Sequence, residues 1–129
     1  MHTWVTMMFR SLMRLQGIGD RDAISNAELD AYLSLMRGDG GGRAFLAVMR
    51  STERTPEKEA LYRSAVRAVS YPVQVVWAAD DPALKLKTYG EQARAAAGLQ
   101  SVATIPAKHF PQEDQAPAVA DHVARLARR

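Results

Sequence analysis

Apolar residues recur at steps of three and four through the first 70 positions of the chain. Val5, Met8, Phe9, Leu12 and Leu15 share one face of an amphipathic helix, which Gly17-Ile18-Gly19-Asp20 ends. Ser25 and Glu28 have the spacing of a capping box, and Leu29, Tyr32, Leu33 and Met36 supply the stripe of the helix it opens. Gly38-Asp39-Gly40-Gly41-Gly42 interrupts the pattern, and Phe45, Leu46 and Met49 mark a short third helix. Thr55 followed by Pro56 predicts the start of a fourth, with Leu61, Tyr62, Ala65, Val66 and Val69 as its buried face.

The period changes at Tyr71-Pro72, because the residue before a proline is pushed out of the helical region. Val73 to Trp77 predicts a short buried strand, Ala78 to Ala83 a loop, and Lys85 to Ala97 an alanine-rich helix closed by Gly98. Ser101 to Ile105 predicts a second strand, Pro106 to Gln115 a loop, and Pro117 the opening of a last helix. Val119, Ala120, Val123, Leu126 and Ala127 lie on one side of that helix. A strand-helix-strand crossover makes the two strands parallel. The expected class is α/β: a helical segment over 1–70, then a β-α-β-α unit over 71–129. Two strands are few for a parallel sheet, so the outer edge of the first is expected to stay open and to invite self-association.

Composition narrows the functional classes. The 129 residues are 47% hydrophobic, which is globular material of one-domain length. Lys and Arg number 17 against 14 Asp and Glu, and neither sign is concentrated in a run, which argues against nucleic-acid or membrane-surface partners. Cysteine is absent, which removes disulfides, thiol catalysis and the cysteine-based zinc patterns. Arg10 and Arg14 interrupt the apolar run near the start, no small-residue cleavage site follows, and no stretch reaches the length of about 18 apolar residues that a membrane span needs. A cytoplasmic location is the expectation. Gly38 to Gly42 lacks the Lys-Ser/Thr of a phosphate loop and follows no strand, so it reads as a flexible link between helices.

Two residues carry the candidate chemistry. Asp81 and His109 each stand in a loop just after a predicted strand, and parallel strands deliver both loops to one sheet edge, where open α/β folds place their sites. An acid followed by a histidine is the order of the last two members of a hydrolase triad. Asp80 is the rival acid. No partner nucleophile is legible in the sequence.

Val75-Val76-Trp77-Ala78-Ala79-Asp80-Asp81-Pro82 resembles the stretch of α/β hydrolases in which a strand ends in Trp-Gly-x-x-Asp-Pro and the aspartate is the triad acid. Asp81 falls at that aspartate, and Ala78 replaces the glycine. Ile105-Pro106-Ala107-Lys108-His109-Phe110-Pro111-Gln112-Glu113-Asp114 resembles the same family's catalytic-histidine loop, Gly-His-Phe-x-Gln-Glu followed by an acid, with Lys108 in place of glycine. The two motifs most resemble the branch containing haloalkane dehalogenases and epoxide hydrolases. Glu28 to Tyr32 and Gly42 to Arg50 look like the helical cap of that branch.

The resemblance implies a partial α/β-hydrolase fold: cap helices over 1–70 and the C-terminal core segment over 71–129. Early strands, the nucleophile elbow and most of the oxyanion hole would lie outside this chain. Asp81 and His109 would be the catalytic acid and base, with no metal or organic cofactor. The substrate would be an ester, haloalkane or epoxide, turned over only in the context of the absent half. Glu113 and Asp114 are expected to favour the start of the last helix through its dipole. Tyr32 and Tyr62 carry a weaker flag, since cap tyrosines polarise the ring oxygen in epoxide hydrolases. Trp77, Trp4, Met7, Met8 and Met13 are expected to pack in core or cap, and His2 and His122 to be exposed. The competing reading is a truncated or decayed non-enzymatic product, or a module that binds a partner through its helices and open strand edge.

Overall fold

A computed structural model describes residues 2–38, 42–53 and 55–128, with the side chains of 2–5 and 45 left out. The expectations placed on Trp4, Val5, His2, Phe45 and the centre of the glycine run concern residues or side chains outside that description. The chain is helix-rich, with one two-stranded parallel sheet among the described residues. Its helices are α1 (His2–Leu12), α2 (Asn26–Arg37), α3 (Arg43–Ser51), α4 (Pro56–Arg67), α5 (Glu91–Ala97), α6 (Pro111–Asp114) and α7 (Ala116–Leu126); its strands are β1 (Val76–Ala78) and β2 (Ala103–Ile105).

Local chemistry sets several boundaries. At the start of α2 the Ser25 hydroxyl accepts from the Glu28 N–H at 3.2 Å, and the Ser25 N–H donates to the Glu28 carboxylate at 2.7 Å. The Thr55 hydroxyl caps α4 through the Lys58 N–H at 3.3 Å. Gly98 ends α5 in the left-handed conformation, φ 72°, where a side chain is strained. Gly98→Ala should therefore lower the free energy of unfolding in urea by about 1 kcal/mol, and Gly98→Asn by less.

β1 and β2 pair in parallel with Val76 opposite Ala103 and Ala78 opposite Ile105. Both strands are shorter than the apolar runs predict. Pro72 has no N–H to give, and Val73 to Val75 lie outside β1, although the Val75 carbonyl still accepts from Ala103 N–H at 3.0 Å. Period-2 alternation splits the residues between two faces. Ala78 and Ile105 are buried with Ala107, packed against Val76 and against Ala118 and Val119 of α7. On the opposite face Trp77 lies against Gly90, at the end of a π-helical turn over Leu86–Gly90 that leads into α5. A Cβ at Gly90 would stand 2.7 Å from a Leu86 methyl and 3.2 Å from the Trp77 ring. That close approach leaves no room for a side chain at position 90, and the predicted regular helix from Lys85 begins as a wider turn. A second core joins Ile18, Ile24 and Leu29, with Phe9 and Met13 against them.

Four predicted stripes are corrected. In α1 and the π turn over Met13–Gly17 that continues it, the packed residues are Phe9 and Met13, whereas Met8, Leu12 and Leu15 are exposed, because the wider turn breaks the predicted period. In α4 no residue is buried, and Leu61, Tyr62 and Val66 are exposed. In α2 Leu29 and Leu33 are buried but Tyr32 and Met36 are not, and in α7 Val123 is exposed. The reason is one of supply: apolar stripes need a facing surface, and two short strands offer little. The accessible surface is 9580 Å², whereas a compact monomer of 14.2 kDa is expected to expose about 6,800 Å².

Candidate functional site

The site grows from the C-terminal ends of β1 and β2. Past the strands the pairing continues loop to loop: Ala79 N–H donates to the Ile105 carbonyl at 2.9 Å, and Asp80 N–H to the Ala107 carbonyl at 3.0 Å. These bonds draw the two loops together. Asp81 Oδ2 lies 2.8 Å from His109 Nδ1, 28 residues away in the chain. Asp80, the rival acid, is exposed and contributes only its backbone.

Asp81 is buried, its side chain 5% exposed, and all of its recorded hydrogen bonds hold it in one orientation. Oδ1 accepts the Ala83 N–H at 2.8 Å and the Leu84 N–H at 2.9 Å, an Asx-type turn across Pro82. Burial pushes the carboxyl pKa up, but the bonds from Leu84 N–H, His109 and Ala83 N–H together outweigh it and hold the group below its ordinary value. Asp81 is thus a carboxylate near neutral pH, and a carboxylate only accepts. The proton on the shared bond belongs to His109 Nδ1, which in the neutral ring leaves Nε2 as the basic nitrogen. Among the described residues nothing is recorded bonded to Nε2. The ring is about one-third exposed and sits edge-on to Phe110, centroids 4.7 Å apart.

A second set of contacts fixes the loop that carries His109, and it comes from the N-terminal helices. Lys108 Nζ donates to the Leu15 carbonyl at 2.7 Å, Phe110 N–H to the Gly17 carbonyl at 2.8 Å, and Asp20 N–H to Asp114 Oδ2 at 2.8 Å. Tyr32 donates its hydroxyl to Glu113 at 2.7 Å, a bond that raises the Tyr32 pKa. Glu113 and Asp114 lie on α6, inside what the sequence predicts as plain loop, and tie that helix to the first 32 residues rather than serving the start of α7. Lys108, which the sequence marks only as a departure from a glycine, is one of these ties. Its partner lies 93 residues earlier, so no local signal in the sequence marks the tie.

The chain matches no protein-family model, no curated protein and no solved structure. The site's own geometry comprises a buried carboxylate, an oriented imidazole and a ring nitrogen, Nε2, without a partner among the described residues. Such a dyad can accept a proton at Nε2 and stabilise the imidazolium that results. Tyr32 is engaged with Glu113, and Tyr62 lines a cleft between α4 and α5 that neither Asp81 nor His109 lines. His122, expected to be exposed, is half-buried, with Nδ1 enclosed and unpartnered among the described residues. Among those residues no group of three or more His, Cys, Asp or Glu is placed to hold a metal ion, and no helix is long and apolar enough to cross a membrane.

Proposed function

We propose that this chain is the cap and C-terminal portion of an α/β hydrolase of the haloalkane dehalogenase and epoxide hydrolase branch, supplying the acid and base of a triad. The observation that carries the proposal is the 2.8 Å contact between His109 Nδ1 and the buried Asp81 carboxylate, in loops at the same ends of two parallel strands. Either a serine from outside these residues attacks an ester carbonyl, its proton passing through His109 Nε2 to the departing alcohol, or an aspartate attacks the carbon of a carbon–halogen bond or an epoxide as the halide or the ring oxygen leaves; each joins enzyme and substrate as an ester. His109 Nε2 then takes a proton from water, whose oxygen adds to the acyl carbon, and Asp81 holds the ring in the required tautomer. The tetrahedral adduct then collapses with cleavage of the ester C–O bond, and the departing oxygen, that of the serine or that of the product alcohol on an aspartyl ester, takes the proton back from Nε2.

The test is expression of the chain together with the reading frame that precedes Met1. A Gly-x-Ser-x-Gly or Gly-x-Asp-x-Gly segment there, and hydrolysis of a panel of esters, haloalkanes and epoxides that falls by at least about 10³-fold in His109→Ala, is the expected outcome. An extended product without such a segment and without activity would overturn the reading.

A further inference from the structure

α4 is held to the C-terminal unit at its far end, where the Arg67 guanidinium donates to the carbonyls of Ala95 and Ala96 at 2.6 and 2.9 Å. Between the two helices the contact opens into a cleft of about 670 Å³, walled by Tyr62, Val66, Trp77, Leu84, Tyr89 and Ala93. We infer that this cleft binds a neutral, ring-bearing small molecule carrying a hydroxyl or carbonyl group.

Each part of that description has a cause in the walls. The volume lies within the roughly 300–1,000 Å³ of small-molecule sites, whose linings are mostly apolar with a few polar groups. Three of the wall residues are aromatic, and rings give stacking and edge contacts to another ring. The rim charges cancel in pairs: Lys58 lies 3.5 Å from Glu53, and Arg63 lies 2.6 Å from Glu59. Each charged side chain lining the cleft among the described residues is thus already paired, so an ionised ligand would lose hydration with little return there, and the occupant is neutral. The side chains of Tyr62, Tyr89 and Gln92 hold no hydrogen bond to another described residue, which leaves them available to a ligand hydroxyl or carbonyl.

The cleft also touches the acid's loop from behind. Trp77 Nε1 donates to the Leu84 carbonyl at 2.7 Å, and the Leu84 N–H donates to Asp81 Oδ1. A molecule lying on Trp77 and Leu84 therefore packs against the turn that orients Asp81 without entering the space around His109. The inference stands apart from the hydrolase reading, and its test needs no turnover.

The probe is 2-naphthol, titrated into the full ¹⁵N-labelled chain carrying Trp4→Phe so that Trp77 gives the single indole N–H signal. A saturable displacement of that signal is expected, with a Kd on the order of 1 mM or tighter for so small a molecule. The displacement should vanish in Ala93→Trp, which fills the cleft, and naphthalene-2-sulfonate should bind at least about tenfold more weakly because its charge has no partner. If Ala93→Trp loses helical circular dichroism, Ala96→Phe, at another lining position, carries the same comparison. A displacement that never saturates, or that survives in the filled variant, would overturn the site; equal binding of the sulfonate would overturn its preference for a neutral ligand.

Discussion

Purified on its own, the 129-residue chain should hydrolyse esters, haloalkanes and epoxides no faster than buffer does. The dyad can take a proton, but among the described residues no hydroxyl or second carboxylate is recorded within bonding distance of His109 to be activated by it. Removing the nucleophile alone from a serine protease costs about 10⁶ in kcat, and a dyad with no nucleophile bonded to it among the described residues has no larger resource. The measurement is release of product from a chromogenic ester and of halide from a haloalkane over hours. Turnover that disappears in His109→Ala would mean that a nucleophile stands within this chain, and the assignment of roles would have to be rebuilt around it.

Asp81→Asn should have the next largest effect, and it separates orientation from charge. The amide oxygen can still accept from Ala83 and Leu84, but its NH₂ group donates towards His109 and drives the imidazole proton from Nδ1 to Nε2. In ¹⁵N spectra the His109 nitrogens should exchange roles, and in a completed enzyme the rate should fall about 10⁴-fold, as expected when a triad base is held in the wrong tautomer. The same carboxylate links stability to acidity. Its folded pKa lies below its unfolded value, so its contribution is fully present above the ordinary carboxylate range and is lost as pH falls through the depressed folded value. Wild type should therefore lose stability on acidification through and below pH ~4, by the amount this group supplies, and Asp81→Asn should lack that part of the dependence. An unchanged acid limb in the variant would remove Asp81 from the account.

Much of this was legible because it is local. Ser25 with Glu28, Thr55 with Pro56, and Gly98 each act within one turn of chain, and the structure places each at the boundary its chemistry predicts. The parallel pairing of the strands follows from one crossover, and the meeting of Asp81 with His109 follows from that pairing. Features decided by distant partners were not legible. The close approach of Gly90 to Trp77, beside the π turn before α5, and the exposure of Leu61, Tyr62 and Val66 on α4 depend on what each helix meets in space. Glu113 and Asp114 look like helix-start acids by sequence, yet their partners Tyr32 and Asp20 lie 81 and 94 residues earlier. The deeper relation to a hydrolase stays a proposal resting on two motifs and one dyad.

Acid and base are secured on very different length scales. Asp81 is gripped by the amides of Ala83 and Leu84, two and three residues away, whereas Lys108 beside the base reaches back 93 residues to the Leu15 carbonyl. Short loops close early and cheaply in a folding chain, and long ones close late. The carboxylate turn thus needs only its own few residues, whereas the ties of Lys108 and Phe110 to Leu15 and Gly17 need the N-terminal segment in place. A chain whose N-terminal segment is displaced would therefore keep the grip on Asp81 and lose part of the support of the His109 loop.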